Sequence, residues 1–284
     1  GASIGIVTCH PLPEPDPDEG LMLNAFQKAG FNTRLIAWND PDADAGQLDL
    51  CLLHSCWDYY RDPASFLAFV ERADDGGRIL NAPSVVRWNH HKAYLHDLQE
   101  CGVPIIPTVW INRGHRVSLR EILEEQGWDD VVVKPSVSAS SFRTMRFRAG
   151  ETVEGEKFLG ELVRDRDAMV QRYIHGGDNP TETSLIWIDG AFTHAVQKAP
   201  RFHGGHEETS DALPVPKDCA ALGARALDCV DESLLYARVD IMTDASGELL
   251  LSELELIEPS LYFRESLTAL DLYVDAVGRW IKAG

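Results

Sequence analysis

The sequence has no dense cluster of basic residues. Its 284 residues include 26 Lys and Arg against 45 Asp and Glu, which gives a formal net charge of −19. A nucleic-acid-binding protein is expected to present a basic stripe, and an anionic lipid surface would repel this charge. We therefore expect no nucleic-acid partner and no membrane partner. Most of the acidic excess is interpreted as solvated surface, with a few carboxylates clustered for a metal.

Long apolar runs and paired cysteine motifs are also missing. No stretch has the length of a membrane span, and the start lacks the basic-then-apolar pattern of a signal peptide. The cysteines form no C-x-x-C pair, and a chain of this size needs no disulfide to be stable. We therefore expect a cytoplasmic protein with reduced thiols in its core. The cysteines are Cys9, Cys51, Cys56, Cys101, Cys219 and Cys229.

Strand and helix patterns alternate over the first 80 residues. Residues 4–9, 31–38 and 48–54 are apolar runs with the length of buried strands, and 21–28 has helical spacing. This alternation predicts an α/β domain with a doubly wound parallel sheet, ending at Pro83. Ligands bind beyond the carboxyl ends of the strands in such sheets. The side chains expected there include Trp57, Asp58 and Tyr59.

The rest of the chain changes character. A helix is predicted over 88–101, a short strand between Pro104 and Pro107, a second helix from Ser118 and a buried strand over 130–134. Two antiparallel hairpins are predicted around Asp189-Gly190 and around residues 244–247. An amphipathic helix is expected over about 265–282. The length predicts two or three lobes around one shared cleft.

The second hairpin carries an acidic pattern. Residues two apart on a strand share a face, so Arg238 lies beside Asp240, and Glu253 beside Glu255. Three carboxylates on paired strands repel each other unless a cation lies between them, and hard oxygen ligands suit Mg²⁺. The alternative is an edge hairpin with a solvated polar face.

Lys134 ends an apolar strand and precedes a loop of small residues. Such a loop can bring backbone amides close to phosphate while the ammonium supplies charge. No Gly-x-x-x-x-Gly-Lys motif is present. A surface lysine at a strand end is the alternative interpretation.

These patterns together resemble the ATP-grasp superfamily, in the same order over about 200 residues. The resemblance implies an N-terminal α/β domain (1–83) and two lobes that clasp ATP, a central one (84–170) and a C-terminal one (171–284), the last two of α+β character. It implies that Lys92 and Lys134 hold the α- and β-phosphates. The serine-rich loop after Lys134 would cover the phosphates. The other nucleotide-contacting residues implied are Ser138, Ser140, Ser141, Gln171, Arg172, Tyr173, Ile174, Asp178 and Glu182.

The resemblance also implies a metal site and a mechanism. Asp240, Glu253 and Glu255 have the spacing of the metal ligands, and would hold two Mg²⁺ ions for which Mn²⁺ can substitute. A substrate carboxylate would attack the γ-phosphate to form an acylphosphate, and an amine would then displace phosphate. Arg238, together with Lys198, would oppose the charge that develops. Two departures are Glu255, where Asn is common, and a covering loop without glycine.

A narrower resemblance is to the group that includes a D-cycloserine synthetase, an O-ureido-D-serine cyclo-ligase. It is carried by the segments 56–59, 81–83, 88–92 and 253–261. It implies a small, amino-acid-like substrate. Interlobe packing is the alternative role for Trp57 and Tyr59, and the segment 203–206 is interpreted as a substrate-covering loop. The substrate-contacting residues implied are Trp57, Asp58, Tyr59, Arg201, Ser260, Tyr262 and Arg264.

Two other functions are left open by the sequence. One is a ligase that modifies a peptide or protein terminus, against which the acidity of the chain argues. The other is a nucleotide-binding protein without turnover, against which the full set of lysines, arginine and carboxylates argues. Dimers are common in such folds, so a homodimer is also left open.

Overall fold

A computed structural model describes residues 1–76, 78–176, 182–199 and 208–283. Its first sheet has the strand order β2-β1-β3-β4, with every pair parallel. Helices α1 and α2 connect its strands, as the sequence predicts for a doubly wound domain. The elements are β1 (Ser3–Thr8), α1 (Glu19–Lys28), β2 (Asn32–Ala37), β3 (Leu50–Ser55), α2 (Pro63–Gly76) and β4 (Arg78–Leu80).

A second sheet follows, with the strand order β5-β8-β6-β7 and antiparallel pairing throughout. Ser118 caps α5 by accepting a hydrogen bond from the Glu121 amide at 3.3 Å. The domain bounds stay a prediction; the bound after residue 170 falls inside β8. The elements are α3 (Pro83–Asn89), α4 (Tyr94–Glu100), β5 (Thr108–Ile111), α5 (Leu119–Gln126), β6 (Asp130–Pro135), β7 (Met145–Arg148), α6 (Thr152–Asp165) and β8 (Ala168–Arg172).

The third sheet is antiparallel, with the order β10-β9-β11-β12. Both predicted hairpins are present: β9 with β10, and β11 with β12. Val239 and Leu254 are fully buried, as their alternation with the polar residues predicts. The elements are β9 (Glu182–Ile188), β10 (Ala191–Lys198), α7 (Lys217–Asp228), β11 (Tyr236–Thr243), β12 (Leu249–Glu255) and α8 (Leu267–Ala283).

Three predictions about local structure are wrong. The helix expected over 88–101 is two short helices, α3 and α4, separated at 90–93. No strand lies between Pro104 and Pro107, where Ile105 forms only an isolated bridge to Leu251. Cys101 and Cys229 are not reduced thiols, because they form a disulfide between the ends of α4 and α7. The other four cysteines are free and buried. Among the described residues, no helix is long and apolar enough to cross a membrane.

Candidate active site

A cleft of about 260 Å³ lies among the three sheets, and five cationic side chains line it: Lys92, Lys134, Arg172, Lys198 and Arg238. Lys134 is at the end of β6, as predicted from the sequence. Lys92 lies in the break between α3 and α4, where its amide donates to the Ser136 carbonyl at 2.8 Å. This bond joins the first residue of the serine-rich loop to the helix break. The two lysines therefore come to the cleft on neighbouring segments.

The lysines share one acidic partner on β12. Nζ of Lys92 is 3.0 Å from Oε2 of Glu253, and Nζ of Lys134 is 2.9 Å from Oε1. Burial alone would raise the pKa of Glu253, but the two ammonium groups hold it far below its ordinary value. Burial disfavours the charge on Lys92, yet the Glu253 carboxylate raises the pKa of that lysine. Both partners are therefore charged at neutral pH.

A second group of charges surrounds Asp240. Its carboxylate accepts hydrogen bonds from Ser184 at 2.5 Å, from Lys198 at 3.1 Å and from Nη2 of Arg238 at 2.9 Å. Arg238 also bonds Glu255, which faces it across the strand pair. Lys198 pairs with Glu182 at 2.7 Å. Burial acts against the charge on Asp240, but Arg238 and Lys198 lower its pKa.

Glu255 differs from its two acidic neighbours. Burial raises its pKa, the Arg238 guanidinium lowers it, and the negative Asp240 and Glu253 raise it again, to about 7. A cation brought between these carboxylates would remove the repulsion and restore the charge. The positive charge of Arg238 therefore compensates only part of the cost of a negative charge on Glu255.

The three acidic side chains fit Mg²⁺ in chemistry and in placement. Asp240 and Glu253 are direct cross-strand partners, and Glu255 is one step along the same face. All three offer hard carboxylate oxygens. Lys92, Lys134, Lys198 and Arg238 pair with these three acids and Glu182, and so balance much of their charge. An anionic polyphosphate would draw the lysines away from Glu253 and upset that balance unless metal ions entered with it.

An apolar slot lies in the same cleft. Ile106 and Ile174 pack together in one small cluster with Met242, and all three line the cleft. The amides of Arg172 and Tyr173 already donate to the Pro107 and Asp130 carbonyls, at 2.9 and 2.8 Å. Within the described residues, the Ile174 amide has no hydrogen-bond partner. Of these three amides, the Ile174 amide is the one available to a ligand in the cleft, while Gln171 donates its side chain to Thr108.

The cleft is covered on one side by the serine-rich loop, residues 136–144. Ser138, Ser140 and Ser141 line the cleft, and their contact with nucleotide stays a prediction. Phe142 stacks on Tyr60 of the N-terminal domain with ring centroids 4.3 Å apart. Ser140, Ser141 and Arg143 have φ values of 49°, 56° and 48°, in a region that non-glycine residues adopt at a cost.

Not every predicted substrate residue reaches the cleft. Trp57, Tyr59 and Ser260 line it. The carboxylate of Asp58 instead accepts hydrogen bonds from Trp38 at 2.7 Å and Asn39 at 3.0 Å, inside the N-terminal domain. Arg264 is 60% exposed and pairs with Glu265. Tyr262 lies under the Arg238 guanidinium, 5.7 Å from it. Asp178, Arg201 and the segment 203–206 lie outside the described residues.

Several functional positions were not predicted. Asn89 fixes the end of β12 by donating to the Leu254 carbonyl at 2.8 Å and accepting from the Leu256 amide at 2.9 Å. Ser184 orients Asp240, and its place two residues after Glu182 on one strand is a signal that could have revealed it. Glu14 and Glu258 also line the cleft. Nothing in their local sequence distinguishes them from surface acids.

The comparisons with known proteins agree with this architecture. The N-terminal domain family of D-cycloserine synthetase DcsG matches residues 4–81. The crystal structure of D-cycloserine synthetase DcsG superposes with a TM-score of 0.90 at 27% identity, over 98% of this chain and 99% of that one. The structure of D-alanine–D-alanine ligase from Bacillus anthracis with ATP has a TM-score of 0.70 at 16% identity, over 100% and 98% of the two chains.

The fold and these relatives identify the chain as an ATP-dependent ligase with the ATP-grasp fold, as predicted from the sequence. Within that class it is similar to the cycloserine biosynthesis protein DcsG of Streptomyces lavendulae. The two are 29% identical over 262 residues, which are 87% of this chain and 88% of that protein.

Proposed function

We propose that the chain uses ATP and Mg²⁺ to convert the carboxylate of a small, amino-acid-like molecule into an acylphosphate, which an amine then attacks. The observation that carries the proposal is the opposition of three buried cations and the partly buried Lys92 to three strand-borne carboxylates in one cleft. Positioning and charge neutralisation are what phosphoryl transfer requires from a protein. The similarity to DcsG over most of the chain favours a cyclising reaction within one substrate.

Each charged side chain has a task in this scheme. Lys92 and Lys134 would exchange Glu253 for nucleotide phosphates, and Glu182 would bind the ribose. Asp240, Glu253 and Glu255 would hold the Mg²⁺ ions, which neutralise phosphate charge when bound. Arg238 would face the reacting carboxylate and, with Lys198, oppose the negative charge that grows as the amine attacks. The Ile174 amide would bind adenine.

The test is Mg²⁺-dependent release of ADP and phosphate across a panel of amino acids and analogues that includes O-ureido-D-serine. Release with O-ureido-D-serine and a cyclic product would support the cyclo-ligase proposal. Release with another substrate would keep the acylphosphate chemistry and change the substrate. ATP binding without release on any member of the panel would contradict the proposal and favour a ligase for peptides or a nucleotide-binding protein.

A further inference from the structure

Glu258 follows β12 and lies in the wall of the cleft. Its main chain is fixed on both sides, because Trp57 donates its indole N–H to the Glu258 carbonyl at 3.2 Å and Tyr236 donates its hydroxyl to the Ile257 carbonyl at 2.6 Å. The residue is 9% exposed and its side chain lines the cleft. The main chain at Glu258 is therefore fixed beside the cleft that its side chain lines.

No cation among the described residues contacts this acid, although Arg238 and Lys92 are near enough to lower its pKa in part. Within residues 1–76, 78–176, 182–199 and 208–283, no hydrogen bond and no ion pair reaches the Glu258 carboxylate, whereas Asp240, Glu253 and Glu255 each contact a cation. Burying a carboxylate without a partner is costly. Burial and the negative Glu255 raise the pKa of Glu258 to about 8. The Glu258 carboxylate therefore lacks a positive partner in the described part of the chain, and such a group could reach it from the cleft.

The surroundings indicate which positive group that is. Trp57 and Tyr59 line the same cleft, and aromatic walls with one acid suit a small organic cation. The same short segment also reaches Arg238, whose Nη1 donates to the Ser260 carbonyl at 3.4 Å. Glu258 and the Ser260 carbonyl that accepts from Arg238 thus lie two residues apart on one segment beside the cleft.

We propose that Glu258 binds the ammonium group of an amino-acid substrate while Arg238 faces its reacting carboxylate. This inference rests on the proposed function and adds to it the substrate class, a zwitterion. The ammonium would give the buried acid its missing partner. Glu258 acts here as a specificity residue, and takes no part in the transfer of phosphate.

The test compares two substrates that differ only in this group. O-ureido-D-serine carries the α-ammonium, and 3-(ureidooxy)propanoic acid lacks it. For the wild type we expect kcat/KM to be higher for the amino compound. In Glu258→Gln this preference should fall by roughly 100-fold, since a buried charge-assisted contact is lost, while the KM for ATP stays unchanged. Glu248→Gln, at an exposed acid in the β11–β12 turn, is the matched control.

Each outcome decides the assignment. Glu258→Gln is isosteric and removes an uncompensated acid, so its melting temperature should not fall below that of the wild type. An unchanged preference between the two compounds in the folded variant would overturn the proposal. If the wild type turns over neither compound, the proposed function is contradicted. The role of Glu258 is then tested separately, by calorimetric measurement of O-ureido-D-serine binding to the complex of the protein with Mg²⁺ and ADP. Weaker binding to Glu258→Gln supports Glu258 as the ammonium site, and equal or absent binding contradicts it.

Discussion

At the scale of single residues, the distribution of charge in the cleft decides what each side chain can do. Glu253 serves as counter-ion to Lys92 and Lys134 in the protein without ligand, and the same oxygens are the ones proposed to hold metal. The arrangement keeps two buried ammonium groups stable until phosphates replace the carboxylate. Affinity for nucleotide and affinity for metal are therefore expected to depend on each other.

Replacing Glu253 with Gln tests that dependence. The variant leaves two buried ammonium groups without counter-charge, so we expect a loss of roughly 2 kcal/mol in unfolding free energy. We also expect Mg²⁺-dependent ADP release to be abolished. Urea unfolding and a coupled ADP assay measure the two effects, with Glu248→Gln as the control. Normal ADP release by a folded Glu253→Gln protein would contradict the metal assignment.

The raised pKa of Glu258 predicts how the unfolding free energy of the metal-free protein depends on pH. Its pKa is about 8 in the folded state and near 4.5 in the unfolded chain. Between these values the folded protein holds a proton that the unfolded chain has lost, so stability falls as pH rises. In EDTA, the stability of Glu258→Gln relative to wild type should grow by about 3.5 kcal/mol from pH 5 to pH 8. If the stability difference between Glu258→Gln and the wild type became smaller from pH 5 to pH 8, a raised pKa of Glu258 in the folded protein would be excluded.

At the scale of elements, the sequence predicts secondary structure best where buried and exposed residues alternate regularly. The β11–β12 hairpin was predictable because Val239 and Leu254 alternate with charged residues. The break between α3 and α4 was not predictable, because helical spacing continues across it. Within the break, the Lys92 amide donates to the carbonyl of Ser136, a residue distant in sequence. Asp58 was assigned to the substrate from its position at a strand end, but Trp38 and Asn39 bind it.

The covering loop gives a prediction at this scale. Its left-handed residues cost about 1 kcal/mol each, so contacts outside the loop are needed to hold the observed conformation. The Phe142 ring on Tyr60 is such a contact. Phe142→Ala should raise the KM for ATP by roughly tenfold and speed tryptic cleavage after Arg143. Tyr60→Phe keeps the stacked ring and should resemble the wild type. Unchanged KM and cleavage in Phe142→Ala would show that the loop does not depend on this contact.

At the scale of the whole molecule, three sheets contribute to one cleft, and long-range contacts hold them together. Asn81 donates to the Tyr236 and Leu256 carbonyls, at 3.0 and 2.8 Å, and accepts from the Leu235 amide. These bonds join the end of the parallel sheet to β11 and β12. No sequence pattern identifies such partners, since an asparagine two residues before a proline is equally typical of a turn.

The disulfide between Cys101 and Cys229 is the one covalent contact at this scale within the described residues, and it closes 128 residues of sequence. A crosslink of that span restricts the unfolded chain, so its removal should cost about 3 kcal/mol of unfolding free energy. The oxidised protein, unfolded without reductant, should show four reactive thiols, and six after reduction. In the Cys101→Ser/Cys229→Ser double variant, stability should no longer respond to dithiothreitol. Since neither cysteine lines the cleft, kcat and KM should stay close to wild type. Six thiols in the unreduced protein would show that the bond between Cys101 and Cys229 does not form.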